Sequence, residues 1–190
     1  MKPLISLVIP SKNRTELLDE AILSIITDPS WNSNCELCIS DNSEGYSTEN
    51  LIRTKYSDSS QIVYRRSLDA PSLDENVNMA ISMARGQYVW IFGDDDLIVE
   101  NFLAELITYL KKSSPDIVIL NSCSFQEQGQ VEASRLALDR LKVYGPNDDN
   151  LFLADQGAYI TYVPCIVIRK NLWEKFFRPE KIGTFFAHID

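Results

Sequence analysis

Apolar residues in this chain fall into short runs, and the spacing inside the runs alternates between strand-like and helix-like periods. Residues 4–9 (LISLVI) form a continuous, β-branched run closed by Pro10, the pattern of a strand buried on both faces. Leu17, Leu18, Ala21, Ile22, Ile25 and Ile26 then recur at helical spacing and predict an amphipathic helix with Thr15 as its cap. Glu36–Ser40 predicts a second strand that runs into the polar turn Asp41-Asn42-Ser43. A short helix around Asn50–Tyr56 and a strand at Ile62–Arg65 follow. Val77, Ala80, Ile81 and Ala84 make one helical face, with Gly86 where a C-cap glycine belongs. Tyr88–Phe92 is a strongly apolar strand, and Gly93 and three aspartates follow it at once. Farther on, the pattern predicts a helix over Val99–Lys111, a strand at Ile117–Leu120, a strand in Tyr159–Arg169 and a short helix over Asn171–Phe177. Between 126 and 150 the pattern weakens around Gly129, Gly145 and Pro146, which reads as a linker or insertion with one short helix at Val131–Leu141.

This β-α alternation implies an α/β fold with a mostly parallel central sheet and helices on both faces. Ligands of such sheets bind beyond the carboxyl ends of the strands. The polar strand ends therefore carry the functional interest: Ser11 to Arg14 after the first strand, Asp41 to Ser43 after the second, and Asp94 to Asp96 after a later one. The topology should bring all three to one edge.

Composition narrows the classes. The 190 residues are 45% hydrophobic and 24% charged, as in an ordinary globular domain. Neither a signal peptide nor an apolar stretch near the roughly 20 residues of a membrane span is present, so a cytoplasmic protein is expected. With 18 basic and 27 acidic residues the net charge is −9, which argues against a nucleic-acid partner. Cys35 and Cys38 have C-x-x-C spacing, but no second pair exists and the sole histidine, His188, is distant, so they read as ordinary thiols.

Three adjacent aspartates at the end of an apolar strand repel one another unless a cation or hydrogen-bond donors compensate. A divalent metal that shares its coordination with substrate phosphates does so naturally. The plainer alternative is a polar turn in which one aspartate caps the helix near Val99. By the same plain reading Arg14 pairs with Glu16 or Asp19 on a solvated helix, and Asp41 is an Asx-turn residue.

The ordered motifs resemble those of family 2 glycosyltransferases of the GT-A fold. SLVIPSKNRTELLDEAILSI is similar to their first strand, Pro-x-x-Asn loop and helix. ELCISDNSEG resembles the second strand and Asp-x-Ser turn, and NVNMAISMARGQYVWIFGDDDLI the helix, Ala-x-Gly turn, strand and Asp-x-Asp motif. The IFGDDD form looks most like transferases of bacterial surface polysaccharide synthesis, including abequosyltransferase-like members. The resemblance implies a nucleotide-sugar (donor) half over 1–125 and, after the 126–150 insertion, the start of an acceptor-side half over 151–190 that is cut short. It implies donor binding by Pro10, Ser11, Asn13, Arg14, Asp41, Asn78 and Asp94, with Asp95 and Asp96 on Mn2+ or Mg2+. Gly93 and Val77 depart from the motif, standing where an aspartate and a basic residue are usual.

The implied reaction moves a sugar from a nucleoside diphosphate to the hydroxyl of a glycan or lipid-linked acceptor, with inversion, at or near the inner face of the plasma membrane. It needs a carboxylate base in the second half, where Asp190 leads and Asp155 and Glu180 follow. His188 reads as a surface residue. A dinucleotide or methyltransferase Rossmann domain would need glycines after the first strand, which PSKNRT lacks. A phosphatase would need a phosphoaspartate. A GT-A domain that binds nucleotide without catalysis is the remaining rival.

Overall fold

The computed structural model describes residues 2–32, 34–70, 72–125, 131–134, 141–157, 159–160 and 162–176. Six strands form one sheet in the order β3-β2-β1-β4-β8-β5, built from β1 (Ile5–Ser11), β2 (Cys35–Asp41), β3 (Ile62–Arg66), β4 (Tyr88–Ile91), β5 (Ile117–Ile119) and β8 (Ile166–Arg169). Strands β1 to β4 pair in parallel, and β8 inserts antiparallel to both β4 and β5. A separate hairpin joins β6 (Cys123–Phe125) and β7 (Val131–Ser134).

Strand alternation divides the core in two. Ile5, Leu7, Ile9, Leu37, Ile39, Tyr88 and Trp90 point to one face, where they meet α1 (Thr15–Ile26), α2 (Ser47–Lys55) and α4 (Phe102–Ser113). Val8, Cys38, Val89 and Ile91 point to the other, against α3 (Leu73–Met83) and Trp173 of α6 (Lys170–Phe176). The mostly parallel sheet with helices on both faces is therefore present. The same alternation sends Cys35 and Cys38 into opposite cores. Burial pushes their thiols up, to about 11 and about 12, so neither is poised as a nucleophile or ligand.

Several local expectations change. Thr15 is the first residue of α1 rather than its cap, and its hydroxyl lies 2.9 Å from that of Thr48 on α2. Helix α4 begins at Phe102, beyond a Leu97–Asn101 connection, so no aspartate of the triplet caps it. Gly86 is not a helix cap, since α3 ends in an extended Ala84. It is glycine because a Cβ there would lie 2.6 Å from Ser6 Oγ and 2.7 Å from Ser6 N. That contact belongs to a buried anchor at the amino ends of the strands. Glu36, 1% exposed, accepts from Ser6 Oγ at 2.6 Å and from Arg85 Nε at 2.8 Å. Val131–Ser134 is strand where a helix is expected, and residues 135–140 of that expected helix lie outside the described residues. An unexpected helix, α5, occupies Asp149–Gln156. Past residue 150, β8 joins the main sheet between β4 and β5.

Candidate functional site

The strand order reverses between β1 and β4, so the loops leaving their carboxyl ends splay apart and open a crevice. Register sets what stands there. Pro10 lies opposite Ser40, Ser11 opposite Asp41, and Asp41 opposite Arg66. Ile91 of β4 ends beside Val8, and Phe92 to Asp96 carry the chain out over the end of β1.

Ser11 Oγ donates to Asp94 Oδ2 at 2.9 Å. Arg14, the residue before α1, turns away from its own helix, and one guanidinium nitrogen bridges two aspartates, 3.1 Å from Asp94 Oδ1 and 3.0 Å from Asp95 Oδ2. The helix-face pairing of Arg14 with Glu16 or Asp19 does not occur; Asp19 is taken by Lys55 and Tyr56. Asp94 is buried, and that burial raises its carboxyl pKa despite Ser11 and Arg14. Asp95 is half-exposed.

The loop after β1 is locked to the loop after β2. Asn13 sits in the left-handed region at φ 57°, which asparagine tolerates better than most residues. Its backbone N–H donates to Ser43 Oγ at 2.7 Å, and its side-chain oxygen accepts from Glu44 N at 3.1 Å. Asp41, fully buried, accepts from Ser43 N at 2.9 Å, the expected Asx turn, and also from Tyr64 OH at 2.8 Å. Behind this rim, Asn76 Nδ2 donates to the Ser11 carbonyl at 3.1 Å, while Asn76 Oδ1 lies 2.6 Å from Ser40 Oγ.

Ser11 thus reaches Asp94, Arg14 reaches both Asp94 and Asp95, and Ser43 ties Asn13 of the same loop to Asp41. Asn78 stands apart: its amide donates to the Asp74 carbonyl one turn back in α3, at 2.7 Å. Asn76, two residues earlier, is the asparagine tied to the site's backbone. Asn76 and Tyr64 escape sequence reasoning because nothing local marks them. The alternation of β3 does put Tyr64 on the Ile62 side of its strand, which is the one available signal. Asp190, Glu180 and His188 lie outside the described residues. Asp155 is held by Lys142 and by Tyr144 OH, which keep its carboxyl pKa low.

Gly93 bears on a metal. A Cβ placed there would lie 3.1 Å from Asp95 Oδ1 and would collide with Asp96 Oδ2. Two carboxylate oxygens therefore border the small space that the missing side chain leaves. An all-oxygen pair of this kind fits Mg2+ or Mn2+. Among the described residues no three His, Cys, Asp or Glu side chains form a cluster that could hold an ion, so phosphate and water oxygens would have to complete the shell.

The family model described as glycosyl transferase family 2 matches residues 6–177. The chain belongs to that family. It is 34% identical over 199 residues to abequosyltransferase RfbV of Salmonella typhimurium, covering 98% of this chain and 59% of RfbV. It is 28% identical over 118 residues to the poly(ribitol-phosphate) beta-N-acetylglucosaminyltransferase TarP of Staphylococcus aureus, covering 60% of this chain and 35% of TarP. Among solved structures, S. aureus TarS in complex with UDP matches with a TM-score of 0.72 at 18% identity, over 98% of this chain and 53% of that one. The mannosyltransferase PcManGT from Pyrobaculum calidifontis, in complex with GDP-Man and Mn2+, matches with a TM-score of 0.62 at 15% identity, over 92% of this chain and 47% of that one. The fold of this family 2 member is GT-A. The chain spans less than two thirds of the length of each of these relatives.

Proposed function

We propose that this family 2 chain binds a nucleoside-diphosphate sugar and transfers the sugar, with inversion, to a hydroxyl of a glycan or lipid-linked acceptor in bacterial polysaccharide or lipopolysaccharide synthesis. The observation that carries this reading is the contact of Ser11 and Arg14 with Asp94 and Asp95 at the switch point of the sheet, beside Asp41. Likeness to abequosyltransferase RfbV, and to folds solved with UDP or with GDP-Man and Mn2+, supports the same ligand class.

In this reading Asp41 faces the base, with Pro10, Ser11 and Asn13 shaping the nucleotide pocket. Asp94 turns toward the ribose and diphosphate, and Asn78 stands farther back on α3. Arg14 adds fixed positive charge where the leaving diphosphate gathers negative charge. Asp95 and Asp96 would hold Mn2+ or Mg2+, which when bound supplies further charge neutralisation to the diphosphate. The acceptor oxygen attacks the anomeric carbon opposite the diphosphate. The carbon–oxygen bond to the diphosphate breaks, its electron pair leaves with the nucleotide, and the acceptor proton passes to a carboxylate base assigned to Asp190. Among the described residues no helix is long and apolar enough to cross a membrane. A cytoplasmic site at the inner face of the plasma membrane, where a lipid-linked acceptor would be met, belongs to the proposal.

Thermal shift with UDP, GDP, CDP and dTDP, each with and without Mn2+, tests the donor site. One nucleotide should stabilise the protein more with the metal than without it, and Asp95→Ala should abolish that increment while leaving the fold intact. Absence of a metal-dependent shift with every nucleotide would sink the reading. Release of nucleoside diphosphate in the presence of an acceptor separates transfer from binding alone.

A further inference from the structure

Arg14 stands where a cation is needed. Its single nitrogen Nη1 touches Asp94 Oδ1 and Asp95 Oδ2 together, so the guanidinium already offsets the charge of the acidic run. Its two partners hold it unequally. Asp94 is buried, fixed from its other side by Ser11, and its side chain is 9% exposed; that of Asp95 is 52% exposed. The Asp95 pair is exposed on both sides and so weak and exchangeable, whereas in the Asp94 pair the carboxylate is buried and fixed by Ser11. Asp95 is also the carboxylate whose second oxygen borders the Gly93 space.

We propose that Arg14 is the resident counter-ion of this site and competes with the divalent cation for Asp95. The inference rests on the donor-site reading above. Metal binding displaces the guanidinium from Asp95 but leaves it tethered to Asp94, within reach of the diphosphate. The metal alone therefore meets a site whose charge is already partly offset, and it binds well only when a diphosphate brings its own negative charge. Arg14 thereby weakens metal binding to the donor-free site and favours binding together with the donor.

The test is a Mn2+ titration in the absence of nucleotide, read from the electron paramagnetic resonance signal of free Mn2+. Arg14→Gln should bind Mn2+ about threefold tighter than wild type, the scale of one partly exposed ion pair. Arg14→Lys, which restores the charge, should return toward the wild-type affinity. An Arg14→Gln affinity equal to or weaker than wild type overturns the counter-ion role. Should Arg14→Gln fail to fold, the Arg14 guanidinium nitrogen resonances of wild type read the same exchange: Mg2+ added to the protein already holding its preferred nucleoside diphosphate must shift them further, and unmoved signals overturn the proposal. Failure of the donor reading itself looks different, because wild type then shows no metal-dependent stabilisation by any of the four nucleotides.

Discussion

Tyr64 donates its hydroxyl to Asp41 Oδ2 at 2.8 Å, so the carboxylate that ends β2 is held in place by the neighbouring strand β3. Asp41 is fully buried, and with Ser43 N on its other oxygen its orientation is set before any ligand arrives. Burial and the Asp41 carboxylate both push the Tyr64 phenol well above its usual range, so it remains a donor at every working pH. Tyr64→Phe removes one donor from a buried anion and should cost about 1–2 kcal/mol of stability. It should also weaken nucleotide binding severalfold. Urea unfolding and calorimetric titration with the preferred nucleoside diphosphate check both; unchanged affinity would mean that Asp41 does not depend on Tyr64.

Glu36 anchors the opposite end of the sheet, and its removal should affect stability alone. Glu36→Ala leaves the buried Ser6 hydroxyl and the Arg85 backbone N–H without their acceptor and should cost about 1–3 kcal/mol in urea unfolding. Nucleotide affinity measured under folded conditions should not move. A change in affinity would show that the two ends of the strands are coupled.

Gly93→Ala puts a methyl group into the space bordered by Asp95 and Asp96. The Asp96 carboxylate must swing away, so the metal-dependent part of nucleotide stabilisation should disappear while the metal-free part persists. Thermal shift with and without Mn2+ separates the two. Equal increments in variant and wild type would exclude the Gly93 space as the metal position.

The site also leaves a mark on the pH dependence of stability. Burial lifts the Asp94 carboxyl above its ordinary 3.8, outweighing Ser11 and Arg14. The folded state then holds this proton more tightly than the unfolded state does. The corresponding stability is full below pH 3.8 and is lost as pH rises through the raised folded value. The stability of wild type minus that of Asp94→Asn should therefore fall as pH rises across that window. Urea midpoints taken at a series of pH values check the sign, and a rising difference would contradict it.

What sequence reasoning captured here is what periodicity and strand-end chemistry encode. The apolar runs at 4–9 and 88–92 became β1 and β4, and the polar clusters that follow them meet in space. The partners within that meeting place were not legible. Arg14 and Asp94 are 80 residues apart, and the local pattern offered only the nearby Glu16 and Asp19 as partners. That Arg14 reaches Asp94 instead is decided by the position of β4 beside β1. Gly86 looked like a helix cap because glycine after a helix usually is one; close approach to Ser6 explains it instead. At Val131–Ser134 the expected helix gives way to a strand for a different reason. Its apolar spacing was too sparse to separate a helix from the β7 strand that begins there.

The antiparallel insertion of β8 bears on how the chain reaches this fold. Strands β1 to β4 can pair as soon as residue 91 has been made, but the outer edge of β4, with Trp90 on it, has no partner until Ile166–Arg169 arrives. β5 cannot close that edge, because it reaches the sheet only through β8. A ribosome-bound chain therefore displays a bare apolar strand edge while everything from Ile91 to Ile166 is synthesised. Bare edges of this kind recruit other chains. Released fragments that stop short of β8 should accumulate as aggregates or chaperone complexes, even though they already contain every residue of the Arg14–Asp94–Asp95 contact.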